Sequence, residues 1–386
     1  MLKVLRPIEW AVLAFIAFVL IRVGPEVFLE YRQLAGLRTV SVFFALGLVA
    51  AISLSHELLR LPWPPGAEHA QRLHRASSAL AFLPLVVAGV VVLSAPNVWA
   101  ELSRARTAQV IPMVATLFLR VVGIGLPGGL LWLAAGLELK REGSFGWRRF
   151  LARNVADLLH ALRDWAPLLF ILSAYAWMDA VVGGKLGDDR DAAMAAADRA
   201  LFGGHDPLEL LEVLINRPLS EWLAFTYSFY AVLFPLVLGG VLMVAGRAAL
   251  RESSFALGAA LLLGYVSYSL VPVKGPVLAR TFDVSLELYL LASVKEAMMD
   301  ATRITYDCFP SMHTCCTVLL GWIAWRHVRR LFWWVSPVVV SMPFACVYLR
   351  YHYVVDVLAG LTLALAMVKL APRLSHDAGA PPARLA

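Results

Sequence analysis

VFFALGLVAAISL, residues 42–54, decides the fold class. The stretch carries no charge, and Ser53 is the one polar side chain among its apolar residues. Lipid offers no hydrogen-bond partners to the backbone, so only helices and closed barrels cross a bilayer. A barrel strand alternates between a lipid face and a lumen face. This run has no such alternation and predicts a helix.

Working outward, similar stretches recur along the chain. A crossing takes ~20 apolar residues for ~30 Å of hydrocarbon, and about ten candidates lie near 8–24, 38–55, 77–95, 110–137, 165–183, 220–246, 255–272, 311–328, 332–349 and 352–371. Hydrophobic residues make up 60% of the 386, charged residues 16%, and the mean hydropathy is +0.72. Soluble chains carry about 25% charge, so this composition excludes an ordinary soluble domain. The expected fold class is an all-α, polytopic transmembrane bundle. Lys3 and Arg6 precede the first apolar run, but Arg22, Gly24 and Pro25 follow it in place of a small-residue cleavage site, so it reads as a retained anchor.

Basic residues set the expected orientation. With ten spans, the termini share a side with the even-numbered loops, and that side holds 19 Lys and Arg against 14 on the other. The positive-inside rule places both termini in the cytoplasm. The net charge of +7 is then a topology signal and needs no nucleic-acid partner. Composition divides the chain into an N-terminal four-helix region (1–140), a six-helix region (165–371) and a disordered tail (372–386). The polar segment 184–219 is expected along the outer surface.

Three ionisable clusters fall on the expected outer side: VPVKGPVLAR (271–280), FPSMHT (309–314) and LRYHYVVDVLAG (349–360). Each alone has an ordinary explanation. Lys274, Arg280 and Arg350 could snorkel to headgroups, and Ser311 could simply cap a helix. Together they contain two histidines, one carboxylate and three cations. His352 and Asp356 are spaced i, i+4, which puts them on one face of a helix, where the carboxylate can orient the imidazole. Such a set suits a phosphate ester. One imidazole attacks phosphorus, the other protonates the leaving oxygen, and the cations neutralise the phosphoryl oxygens. Zinc on His313, His352 and Asp356 is a rival chemistry, opposed by the nearby cations. A transporter using His and Asp for proton coupling is another, but its charges belong at mid-span. Cys308, Cys315, Cys316 and Cys346 form no metal-binding pair in sequence, and a Cys308–Cys346 disulfide is geometrically possible.

FPSMHT followed by HYVVD resembles the second and third motifs of the type-2 phosphatidic-acid phosphatase superfamily. The spelling FPSMH…YLRYHYVVDVLAG, with DRALFGG at 198–204, is similar to the branch of inositol-phosphorylceramide synthases and bacterial inositolphosphotransferase-like proteins. The resemblance covers about residues 165–371 and implies a six-helix catalytic core. It makes His352 the nucleophile, Asp356 its partner and His313 the acid/base. Ser311, Lys274, Arg280 and Arg350 would bind phosphate. Two departures stand out: Lys274 and Arg280 are separated by five residues with Thr281 in place of proline, and Cys346 stands where phosphatases carry arginine. The synthase-like branch tends to lack that arginine too. The resemblance implies a lipid phosphate or phosphodiester substrate and an acceptor such as inositol; no metal or cofactor is expected, since the cations supply the charge a metal otherwise would. Hydrolysis of phosphatidic acid or a polyprenyl phosphate is the alternative.

Overall fold

A computed structural model describes residues 6–23, 58–66, 68, 129–144 apart from 131, 148, parts of 159–183, 189–286, 288 and 304–375. Among these residues the secondary structure is helical, with no strand. The spans expected near 38–55, 77–95 and most of 110–137, and the tail beyond 375, lie outside the described residues. The chain groups into two compact units, Met1–Gln33 with Pro167–Ala386, and Leu34–Ala166. The first helix falls in the unit that holds the later helices.

In the smaller unit, Leu58, Ala134 and Leu137 form a buried cluster, and Lys140 donates to the Leu58 carbonyl at 2.7 Å. The larger unit holds the helices that matter for function: α1 (Pro7–Val23), α2 (Asp191–Leu201), α3 (Arg217–Leu270), α4 (Met312–His327), α5 (Arg329–Tyr348) and α6 (Val354–Leu374).

Local sequence explains their limits. Helix α2 is an alanine run, the best helix former. Asn216 caps α3 by accepting from the Leu219 N–H at 3.1 Å. At ~1.5 Å per residue, the 54 residues of α3 would reach about 80 Å. The helix breaks at Gly246, whose φ of 81° lies outside the helical region. The break separates the spans expected at 220–246 and 255–272. Ser311 caps α4, accepting from the Thr314 N–H at 3.4 Å. Asp356 caps α6 by accepting from the Tyr353 N–H at 2.8 Å.

Helix α3 packs against α4, α5 and α6, with α4 also against α5 and α6. Helix α1 lies on α3, where the Phe15 and Tyr265 rings approach to 6.0 Å. Among the described residues, α3, α5 and α6 are long and apolar enough to cross a membrane. At the α4–α5 turn Arg326 pairs with Glu252 at 2.7 Å, and Arg329 lies over the Trp325 ring at 3.8 Å. Trp333 and Trp334 are exposed beside them. Such a belt of Trp and Arg has the composition of a membrane–water interface. The two histidines lie at the other end of α4 and α6, about 20 Å away along the helix at 1.5 Å per residue.

Candidate active site

Three chain segments meet at the His end of the bundle. The first, residues 271–280, leaves α3 and turns at Gly275, whose φ is +88°. The second, residues 304–311, passes through a cis Phe309–Pro310 peptide into α4. The third, residues 349–353, joins α5 to α6. Backbone hydrogen bonds stitch them together: Val277 N–H to the Arg350 carbonyl (2.9 Å), Cys308 N–H to the Val273 carbonyl (3.3 Å) and Ser311 N–H to the Asp356 carbonyl (3.0 Å). The close approach of α6 to α4 needs Gly360, because a Cβ there would sit 2.4 Å from the Ser311 carbonyl oxygen.

This convergence brings His313 and His352 together, with ring centroids 6.0 Å apart. His352 is buried and His313 half-buried. His352 Nδ1 lies 3.0 Å from the Cys308 carbonyl oxygen. A carbonyl can only accept, so Nδ1 carries the proton and Nε2 keeps its lone pair. The tautomer is thus set by the backbone, a role the sequence had suggested for Asp356. The shared helix face expected for His352 and Asp356 is not how they meet, because α6 begins at Val354, after His352. Their closest approach is 3.8 Å, Nδ1 to Oδ2. Asp356 Oδ2 accepts instead from the Tyr353 N–H at 2.8 Å and from the Cys308 thiol at 2.7 Å. Its Oδ1 is buried with no hydrogen-bond partner. Burial and the adjacent carboxylate push the Cys308 thiol pKa well up, so the thiol stays protonated.

His313 sits in an aromatic enclosure that the sequence reading missed. Tyr227 stacks on it at 4.2 Å and Tyr230 lies tilted at 4.4 Å, while Tyr227 also stacks on Tyr351 at 4.4 Å. Tyr227 and Tyr230, three residues apart on α3, share a helix face, which was the available signal. Ser311 is fully buried, with its hydroxyl directed to Thr314 Oγ1 at 3.1 Å and Cys346 Sγ at 3.7 Å. Geometrically it is the helix cap.

The expected phosphate-binding cations all have acidic partners from residues 189–212. Lys274 pairs with Asp189 (2.6 Å), Arg280 with Asp206 (2.6 Å) and Arg350 with Glu212 (3.0 Å). The hydrogen bond to Asp189 raises the Lys274 pKa. Arg280 and Arg350 also lie against the Phe282 ring, at 4.7 and 4.0 Å. Arg350 is a non-glycine residue at φ 66°, held there by its ion pair and by burial. Arg280 Nε and Nη2 are buried and have no hydrogen-bond partner.

Helix α2 fixes the other two segments. Asp191 accepts from the Lys274 and Gly275 N–H groups, both at 2.9 Å, and from the Tyr353 hydroxyl at 3.1 Å. Asp198 accepts from the Val354 and Val355 N–H groups at 2.8 and 2.9 Å. Burial raises the Asp198 pKa, with the two N–H bonds opposing. Asp198 opens the DRALFGG stretch noted in the sequence, though nothing there assigned it a task.

The four cysteines are free. Cys308 and Cys346, which could have paired, are engaged separately with Asp356 and with Ser311 and Thr314.

Residues 192–370 match the family model of the PAP2 superfamily, which supports membership of that superfamily. The match spans α2 to α6 and contains both histidines, Asp356 and the three cations. No curated protein and no solved structure matches the chain.

Proposed function

We propose that this PAP2-superfamily core is a metal-independent lipid phosphotransferase working through a phosphohistidine, with its site at the outer leaflet. PAP2 membership supports a lipid phosphatase or phosphotransferase in general. The single observation that carries the finer mechanism is the His313–His352 approach of 6.0 Å with the His352 proton held on Nδ1. Nε2 of His352 attacks the lipid phosphorus. The phosphorus–oxygen ester bond breaks, and the departing alkoxide takes a proton from His313. An acceptor hydroxyl then gives its proton to His313 and attacks the phosphohistidine, and the phosphorus–nitrogen bond breaks to restore the Nε2 lone pair. Positioned acid–base groups supply ~10²–10⁴-fold to such steps.

Charge on the phosphoryl oxygens falls to the cations. Arg280 is the first candidate: its buried Nε and Nη2 have no hydrogen-bond partner and belong to a fork suited to phosphate. Asp356 contributes by holding the turn that carries His352. Transfer to inositol, rather than to water, is favoured by the synthase-like spelling around His352 and by Cys346 at the arginine position of phosphatases.

The test is incubation of purified protein with labelled phospholipids, with and without inositol and with excess chelator in every arm. Labelled inositol phospholipid is the expected product. Headgroup loss with no transfer would make the enzyme a hydrolase, and turnover that requires added metal would overturn the mechanism.

A further inference from the structure

Behind the catalytic face of His352 lies a second constellation. Cys308 Sγ, His352 Nδ1 and a carboxylate oxygen of Asp356 all lie within 4.8 Å of one another. The three residues are 1%, 3% and 0% exposed. We propose that they form a binding site for a soft divalent cation, zinc or cadmium, and that its occupation silences His352. The silencing rests on the nucleophilic role given to His352 above; the binding does not.

The donor set is one sulfur, one imidazole nitrogen and one carboxylate, the types that zinc takes at ~2.0–2.3 Å. Bond lengths of that size put tetrahedral ligand atoms roughly 3.3–3.7 Å apart. Nδ1 is already 3.3 Å from Sγ and 3.8 Å from Oδ2. Only the Sγ–Oδ2 contact, 2.7 Å, is too close. Oδ1 offers the alternative: it is buried without a partner, and using it leaves Oδ2 on the Tyr353 N–H. An unpaired carboxylate oxygen in the interior is costly, and a cation removes that cost. The objection that Lys274, Arg280 and Arg350 would repel a metal weakens, because each is already paired with a carboxylate.

Occupation has a defined chemical consequence. The thiol proton leaves to solvent, and the Nδ1 proton must leave as well. A neutral imidazole carries one N–H, so with metal on Nδ1 the proton resides on Nε2. Nε2 then has no lone pair for phosphorus. The metal acts here as an inhibitor, and a chelator relieves inhibition without removing catalytic capacity.

Cadmium titration of the purified full-length protein tests the site without needing turnover. A thiolate-to-cadmium charge-transfer band should grow to one equivalent, disappear in Cys308→Ser and Cys308→Ala, and require at least tenfold more cadmium in His352→Ala. Zinc at the same occupancy should lower phosphoenzyme formation at least tenfold in the wild type and leave Cys308→Ser at its own zinc-free level. If both Cys308 variants fail to fold, X-ray absorption of the cadmium-loaded wild type decides. One sulfur with nitrogen and oxygen sustains the site, and two sulfurs, as Cys315 and Cys316 would give, overturns it. Absence of any band in the wild type overturns it too. A band in a protein with no transferase or phosphatase activity would reject the enzymatic function and leave the site standing.

Discussion

His352 Nδ1 and Asp356 Oδ2 stand 3.8 Å apart, and Cys308 lies between their hydrogen-bonding needs, giving its carbonyl to the histidine and its thiol to the aspartate. The carboxylate therefore acts on the histidine through the turn it anchors and through its field. Where an aspartate holds its histidine by a direct hydrogen bond, Asp→Asn costs ~10⁴-fold. Asp356→Asn should fall well short of that, on the order of 10–100-fold, since an amide oxygen still accepts from the Tyr353 N–H. Turnover on a natural lipid, alongside circular dichroism to confirm the fold, measures it. A ~10⁴-fold loss would point to a direct pairing formed during the reaction.

Asp198 ties α2 to the first turn of α6 by two hydrogen bonds. Asp198→Ala strands two N–H groups at about 1–3 kcal/mol each where they are buried. Thermal unfolding in detergent should show a clear drop in Tm, with Asp198→Asn intermediate because one acceptor remains. An unchanged Tm in the alanine variant would remove Asp198 from the scaffold.

Gly275 carries a φ of +88°, and a Cβ there would lie 2.5 Å from the Tyr351 carbonyl oxygen. Gly275→Ala meets both the strain of a left-handed side chain and a backbone clash, of order 1–3 kcal/mol for the strain alone. Because Tyr351 precedes His352, kcat should fall together with stability. Wild-type kinetics in this variant would mean that the two segments can separate without harm.

Arg280 keeps two unpartnered guanidinium nitrogens beside its ion pair with Asp206. Arg280→Lys preserves the charge and loses the fork. Hydrogen bonds to charged groups contribute ~1.5–3 kcal/mol, so KM for the lipid phosphate should rise roughly 10–100-fold by the usual 1.4 kcal/mol per decade. Lys274→Arg, at a cation engaged by Asp189, should change KM little. The opposite ranking would hand the phosphate to Lys274.

The sequence made the helical class legible because charge-free runs such as 222–246, which lies within α3, have no alternating pattern of a barrel strand. It also marked both histidines, since FPSMHT and HYVVD each place a histidine beside a helix start. The tautomer of His352 was not legible, because a backbone carbonyl 44 residues away sets it and no side-chain pattern records a carbonyl. The i, i+4 spacing to Asp356 misled because it presumed a helix two residues before α6 begins. The acidic partners of the three cations were visible as residues but not as partners. Asp189, Asp206 and Glu212 lie between 74 and 138 positions from the cations they meet, and only tertiary packing brings them there. The enclosure of His313 by Tyr227 and Tyr230 left only their three-residue spacing as a signal, both otherwise reading as ordinary aromatic residues of an apolar span.

The division of labour between the two histidines is tested most directly by trapping a labelled phosphoenzyme, using both a nitrophenyl ester and a natural lipid as donors. His352→Ala should take no label from either, because Nε2 is the atom that bonds to phosphorus. His313→Ala should still take label from the nitrophenyl ester, whose leaving group needs no proton. On the natural lipid it should lose the ~10²–10⁴-fold that a general acid supplies. Label retained in His352→Ala, or equal loss on both donors in His313→Ala, would contradict the assignment of nucleophile and acid.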